Sequence, residues 1–360
     1  MIKIVGNRGI AEILLIFAVV MFAGLGIAYA AVSTSSISIL YDSMESQGLA
    51  YASYAIDVAL GAIILLLIAR RGRSSNRLLI ELLESIVIAF TSFFVLLLIF
   101  GSAIPSSSSG YLIYMAAAAL AILLAVFKES FAPMRNLATI TSSIGIGIIL
   151  GFNFSFDYAI LILAAVAVYD YTAVFRTDKM VSMAKSLAKS NMAFLVSVSD
   201  LEDVKRKKVS NREAEEYMGY LKKSHYAEMP KYKKIIDKGD LPILSQISLG
   251  EGDLSLPLMV VISTYYFISS EVLVAMVLCG AFAGIGITMA ILKLYKHPLP
   301  AVPPLFAMIS IFSGVALFVS GIGYAYAPAV LIAIGAFVML VDMLTIVGKM
   351  HEDATAYSKR

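Results

Sequence analysis

The 360-residue chain is 60% apolar and 15% charged, with a mean hydropathy of +0.87, whereas soluble globular chains run near 45 to 50% apolar and about 25% charged. These proportions exclude a soluble enzyme and predict an all-α polytopic membrane protein, because the apolar residues arrive in blocks close to the roughly 20 residues that a helix needs to cross hydrocarbon. The net charge of +3 decides little, and a single cysteine, Cys279, inside an apolar block leaves no disulfide framework or thiolate metal site.

The first block, residues 10–32, follows Lys3 and Arg8 and contains Ala28-Tyr29-Ala30, which imitates a signal-peptide cleavage site. It is too long for a signal core of about 7 to 15 residues and reads as a spanning helix. Uncharged runs then place further spans near 50–69, 79–101, 111–127, 137–154, 158–175, 247–269, 272–292, 301–321 and 328–348, ten helices in all. Clusters such as Pro105 to Gly110 mark the turns. The predicted layout is helices one to six in residues 1–175, a polar loop at 176–246, helices seven to ten in 247–348, and a tail at 349–360.

Orientation follows from the basic residues, since cytoplasmic loops hold the excess of positive charge. All 28 lysines and arginines fall on alternate loops or at the termini, and the opposite loops carry only acids, among them Asp42, Glu45, Asp157 and Glu271. Both termini and the 176–246 loop are therefore expected in the cytoplasm. That loop contains Lys205-Arg206-Lys207-Lys208, read as a solvated face with attraction to anionic headgroups as the lesser use. Residues 192–198 and 241–248 look like short strands. Gly147 with Gly151, and Gly280 with Gly284, have the four-residue spacing that permits close helix packing.

A charged side chain at mid-membrane costs at least about 2.5 to 3.5 kcal/mol, so acids inside the spans are where chemistry is sought first. Four stand out: Asp57, Asp170, Asp253 and Asp342, while Glu12, Glu81 and Glu84 lie near enough to helix ends to reach water. Asp170 precedes the end of helix six by five residues and Asp253 follows the expected start of helix seven by six. At about 1.5 Å per residue both lie roughly 8 to 9 Å deep. Were the two helices neighbours, the acids would share one proton, because two carboxylates a few ångströms apart cannot both ionise. The plainer reading is that each is satisfied separately or serves a proton or cation path.

The surrounding residues bear on that choice. Asp253 closes Gly250-Glu251-Gly252-Asp253, whose glycines let the backbone unwind and a substrate chain approach. Asp170 follows Tyr169. Helix nine opens Pro298-Leu299-Pro300-Ala301-Val302-Pro303-Pro304, and prolines this dense leave unpaired carbonyls that a membrane tolerates only inside protein or along a cavity. Together these motifs resemble those of the presenilin and signal peptide peptidase family of intramembrane aspartyl proteases, in particular its archaeal presenilin homologues. Tyr169-Asp170 is similar to the family's Tyr-Asp motif, Gly250 to Asp253 to its Gly-x-Gly-Asp, and Pro300-Ala301-Val302 to its Pro-Ala-Leu, with valine where leucine is usual.

The resemblance covers residues 10–321 and implies a nine-helix core, to which this chain adds a tenth helix bearing Asp342. It implies that Asp170 and Asp253 are catalytic, that Tyr169, Gly250, Gly252, Pro300, Ala301 and Val302 shape the site or hold substrate, and that 241–248 can pair with an unwinding substrate. Substrates would be single-pass membrane proteins or peptides within the lipid bilayer. No cofactor, metal, nucleic acid or obligate partner subunit is implied. His225, His297 and His351 stand apart, without a zinc signature. Rival readings are a proton- or cation-coupled transporter, which accounts better for Asp57 and Asp342, a prepilin or preflagellin peptidase, and an idle chaperone of membrane helices.

Overall fold

The computed structural model describes residues 7–34, 77–103, 110–128, 132–175, 195–200, 204–205, 241–242, 245–295, 299–321 and 327–358. Its helices are α1 (Asn7–Ser33), α2 (Arg77–Ala103), α3 (Gly110–Phe127), α4 (Ala132–Asn153), α5 (Phe156–Phe175), α6 (Glu251–Ser263), α7 (Glu271–Tyr295), α8 (Val302–Ser320) and α9 (Ala327–Ser358). Between α5 and α6 lie strands β1 (Leu195–Asp200), β2 (Val204–Lys205), β3 (Leu241–Pro242) and β4 (Ser245–Gly250). Among the described residues seven helices are long and apolar enough to span a membrane. The span expected at 50–69, with Asp57, lies outside the described residues.

Two compact units emerge, Gly26–Phe127 on the one hand and Met1–Leu25 with Lys128–Arg360 on the other. In the first, α2 packs along α3, whose buried Ala117, Ala121 and Ala125 recur every fourth residue on one stripe. Glu84 of α2 is buried rather than at water as expected. Seven residues from the helix start at about 1.5 Å each carry it roughly 10 Å in.

The core of the second unit is α6. Leu254, Leu258, Met259, Val260, Val261 and Ile262 are fully buried, and a helix apolar all round must be enclosed on every side. Glycines on its neighbours make room for it. A Cβ at Gly147 of α4 or at Gly24 of α1 would lie 2.8 Å or less from Leu258, and one at Gly151 would lie 2.7 Å from Ile262. The Ser263 hydroxyl donates to the Phe154 carbonyl at 2.7 Å, fixing the far end of α6 to the α4–α5 turn. After Ser263 the helix widens into a π-helical turn, Thr264–Ile268, closed by Ser269 at φ 54°.

Helices α7 and α8 approach equally closely, since a Cβ on Gly280 or Gly284 would lie under 3.0 Å from the α8 backbone. The expectation that these four glycines serve packing agrees with both contacts. Leu161, Val168, Phe318 and Phe337, each more than 60% exposed, are what a surface bathed in hydrocarbon requires and what water would penalise.

The polar segment differs from expectation at its edges. Residues 247–250 are strand, so the helix expected from 247 begins at Glu251 and the boundary drawn at 246 falls inside β4. The reason lies in the sequence, because Gly250 ends the strand in extended conformation, φ −70° and ψ 150°, and is itself the helix N-cap. β4 pairs antiparallel with β1, from Leu195 opposite Gly250 to Asp200 opposite Ser245. The expected tail at 349–360 is helical as far as Ser358, since neither proline nor glycine interrupts residues 349–358.

Candidate active site

Helices α5, α6 and α8 touch one another and gather three motif segments at one end of the bundle. Asp253 is the third residue of α6, not the seventh as its expected depth assumed. That position in the helix matters chemically. At this position a carboxylate can reach back to the N-cap amide, and Gly250 N–H donates to Asp253 Oδ2 at 3.1 Å. The acid also meets the positive end of the helix dipole. Pro257, four residues on, has no N–H, so the Asp253 carbonyl lacks its helical donor.

Both glycines of the motif have distinct surroundings. A Cβ at Gly250 would sit 3.1 Å from Asp253 Oδ2, whereas at Gly252 it would meet nothing within 4 Å. Gly252 is exposed and Asp253 partly buried, so the acid lies at an opening rather than in sealed core. Gly250→Ala is accordingly expected to displace the carboxylate by a few tenths of an ångström and lower activity about tenfold, in the range of a weakened charge-assisted hydrogen bond. Gly252→Ala meets no intramolecular obstacle, so any loss there reports contact with substrate. Initial rates of the two variants, each checked by thermal melting, measure the difference.

Asp170 is buried on α5, with the start of α8 against it. A helix leaves its first four N–H groups without intrahelical partners. In α8 those positions are Ala301, Val302, Pro303 and Pro304, and proline has no N–H to offer. Only two donors remain, and both turn to one acid. Val302 N–H donates to Asp170 Oδ2 at 3.2 Å, and the Ala301 amide is directed to the same carboxyl. The dense prolines thus do more than break a helix; they strip it of competing donors at its mouth, where a negative charge is favoured. Pro300, Val302, Pro303 and Pro304 are buried beside it.

The two acids are within electrostatic reach of each other. Tyr169 is 68% exposed, since successive residues on a helix point about 100° apart and Asp170 faces inward. Among the described residues no three His, Cys, Asp or Glu side chains are placed to hold a metal ion.

Over residues 14–311 the sequence matches the family described as signal-peptide peptidase, presenilin aspartyl protease. The chain belongs to this family. The presenilin-family homologue is thus a multi-pass membrane aspartyl protease acting on membrane-embedded substrates, by a family-wide assignment, and the transporter and prepilin-peptidase readings lose their ground. A solved structure titled as a presenilin family intramembrane aspartate protease is similar, with a TM-score of 0.47 and 17% identity, covering 85% of this chain and 95% of that one. No curated protein matches.

Two features of this family member were not foreseen from its sequence. One is the use of the Ala301 and Val302 amides, for which Pro303-Pro304 at a helix start was an available signal. The other is that Asp342 lies within electrostatic reach of Asp170, which no local pattern announces.

Proposed function

We propose that the presenilin-family homologue hydrolyses peptide bonds of transmembrane-helix substrates with Asp170 and Asp253 as its catalytic pair. What supports this reading is that two acids from different helices lie within electrostatic reach of each other, one accepting from the N-cap amide of α6 and the other from the Val302 amide of α8. The ionised member takes a proton from a water molecule, whose oxygen attacks the scissile carbonyl carbon. The protonated member donates to the carbonyl oxygen. The tetrahedral intermediate collapses as the leaving nitrogen takes up a proton, and the pair ends holding one proton, as it began.

An intact substrate helix shields its carbonyls in hydrogen bonds, so it must open first. β4 leads directly into the catalytic turn and is paired along one edge by β1, in a two-stranded sheet among the described residues. An unwound segment of substrate adds along the other edge, main chain to main chain, with Pro300, Ala301 and Val302 shaping the opposite wall and the open side of Gly252 admitting it. The distribution of all 28 basic residues puts both termini and the 176–246 loop in the cytoplasm, with the pair in the cytoplasmic third of the membrane.

The test is purified protein with a fluorogenic transmembrane peptide in liposomes. Cleavage is expected within or beside the peptide's apolar segment, and a hydroxyl-bearing mimic of the tetrahedral intermediate should abolish it. Absence of cleavage by the folded protein, or cleavage that the mimic leaves unchanged, would overturn this reading.

A further inference from the structure

Helix α9 lies beyond the residues that match the family, yet it reaches the site. It packs along α8 through Gly314 of α8 and its own Gly335, where a Cβ would meet Pro328 O at 2.7 Å and Ala307 O at 2.6 Å respectively. Its cytoplasmic half also meets α5. Tyr171 Oη and Thr345 Oγ1 are 2.7 Å apart, Lys349 Nζ donates to Phe175 O at 3.5 Å, and the same ammonium stands 4.8 Å from the Phe175 ring centre. Ile346 completes the contact in an apolar cluster with Ile291, Ile287, Leu299 and Phe175.

These contacts fix a register. Tyr171 with Thr345 and Phe175 with Lys349 are each separated by 174 residues, so the two helices run parallel and in step. Asp342 is one turn before Thr345 and, by the same offset, level with residue 168, about 3 Å along the axis from Asp170 at 1.5 Å per residue. Asp342, Thr345, Ile346 and Lys349 follow the i, i+3, i+4, i+7 stripe that forms one helix face. Asp342 is 1% exposed, and neither of its carboxyl oxygens has a hydrogen-bond partner among the described residues. The carboxyl within electrostatic reach is that of Asp170.

We propose that Asp342 is a third carboxyl of the site, a positioning residue that sets, through Asp170, the pH range over which the catalytic pair holds its single proton. This rests on the proposed roles of Asp170 and Asp253. A purely structural residue has no reason to be an acid here, since burying a carboxyl without hydrogen bonds is costly and a leucine would fill the stripe more favourably. As a third acid its effect is direct, because a negative charge beside Asp170 opposes ionisation of Asp170. Of the elements packed against it, α8 has no titratable side chain, α5 supplies Asp170 and the hydrogen-bonded Tyr171, and α7 carries Lys293 and Tyr295 at its cytoplasmic end. On α9 itself Lys349 is two turns away and bonded to Phe175.

The experiment uses the full-length protein in liposomes. Asp342→Asn keeps shape and removes charge, and Asp342→Glu keeps the charge. The pH–rate profile of peptide cleavage is expected to move to lower pH by about one unit in Asp342→Asn, since the pair then ionises without a like charge nearby, and to stay near the parent's in Asp342→Glu. Asp342→Ala repeats the measurement should the Asn variant fail to fold. Infrared titration of the protonated carboxyl bands reads the same coupling without turnover: the bands lost in Asp170→Asn should titrate at lower pH in Asp342→Asn. An unshifted profile and unshifted bands, with a changed melting temperature alone, would make Asp342 a packing residue and overturn the inference. Shifted bands in a protein that cleaves nothing would instead leave the coupling standing and remove the protease reading.

Discussion

Asp170→Asn and Asp253→Asn, made singly, are each expected to lower peptide cleavage by more than about 10³-fold while leaving the protein folded. General acid–base groups contribute typically 10² to 10⁴ each, and groups that act as one unit are lost together when either is removed. The two changes should therefore be non-additive, with the double variant scarcely slower than either single one. Asparagine keeps the shape of each carboxyl and can still accept from Val302 N–H or Gly250 N–H through its carbonyl oxygen, so the anchoring geometry survives while the proton chemistry does not. Single-turnover cleavage together with thermal melting checks both halves of the statement. Turnover that persists in either variant removes that acid from the mechanism.

The second large effect is expected at a residue that is not itself an acid. A Cβ at Gly284 would lie 2.6 Å from Leu305 Cα and 2.9 Å from Pro304 O, and these are backbone atoms that cannot swing aside. Gly284→Ala must push α8 away from α7, and the part displaced is the turn whose Val302 amide holds Asp170. Overpacking of this kind costs about 1 to 3 kcal/mol, and a displacement near 1 Å at a reacting group can cost about 10²-fold in rate. Gly286→Ala, two residues along the same helix, is the control, since a Cβ there meets nothing within 4 Å and alanine favours helix. Thermal melting and kcat for the two variants decide it: equal behaviour would show that the α7–α8 spacing does not govern the site.

The order of apolar blocks was legible because membrane spans obey one rule throughout, a length of apolar residues between polar ends. The blocks that became α2, α3, α4, α5, α7 and α8 are displaced from expectation by five residues at most. Boundary errors came where another rule competed. Residues 247–250 are apolar enough to continue a helix inward, yet pairing with β1 holds them extended, and that contact comes from about fifty residues upstream, beyond the reach of any local pattern. Glu84 is buried for a similar reason, since distance from a charged helix end says nothing about which neighbours cover the side chain.

The motif acids themselves were legible, and the anchoring of Asp170 was not. Gly-x-Gly-Asp is contained in four consecutive residues, and its hydrogen bond closes over three, so chain geometry alone nearly dictates it. The bond from Val302 to Asp170 joins residues 132 apart and exists only because α5 and α8 are neighbours. Tyr169, adjacent in sequence to a buried acid, is itself exposed, because the helix turns between them.

What the sequence determined by itself is therefore the membrane class of the protein, the stretches that span it, the family, and the identity of the acids, since each of these rests on residue type over a short window. Which acids lie within electrostatic reach of one another, and that the Val302 amide donates to Asp170, were decided by tertiary structure. Helices in hydrocarbon gain little from apolar attraction to one another; their partners are selected by glycine clearances and a few polar contacts spread along the whole chain, and these acquire meaning only when the helices are side by side.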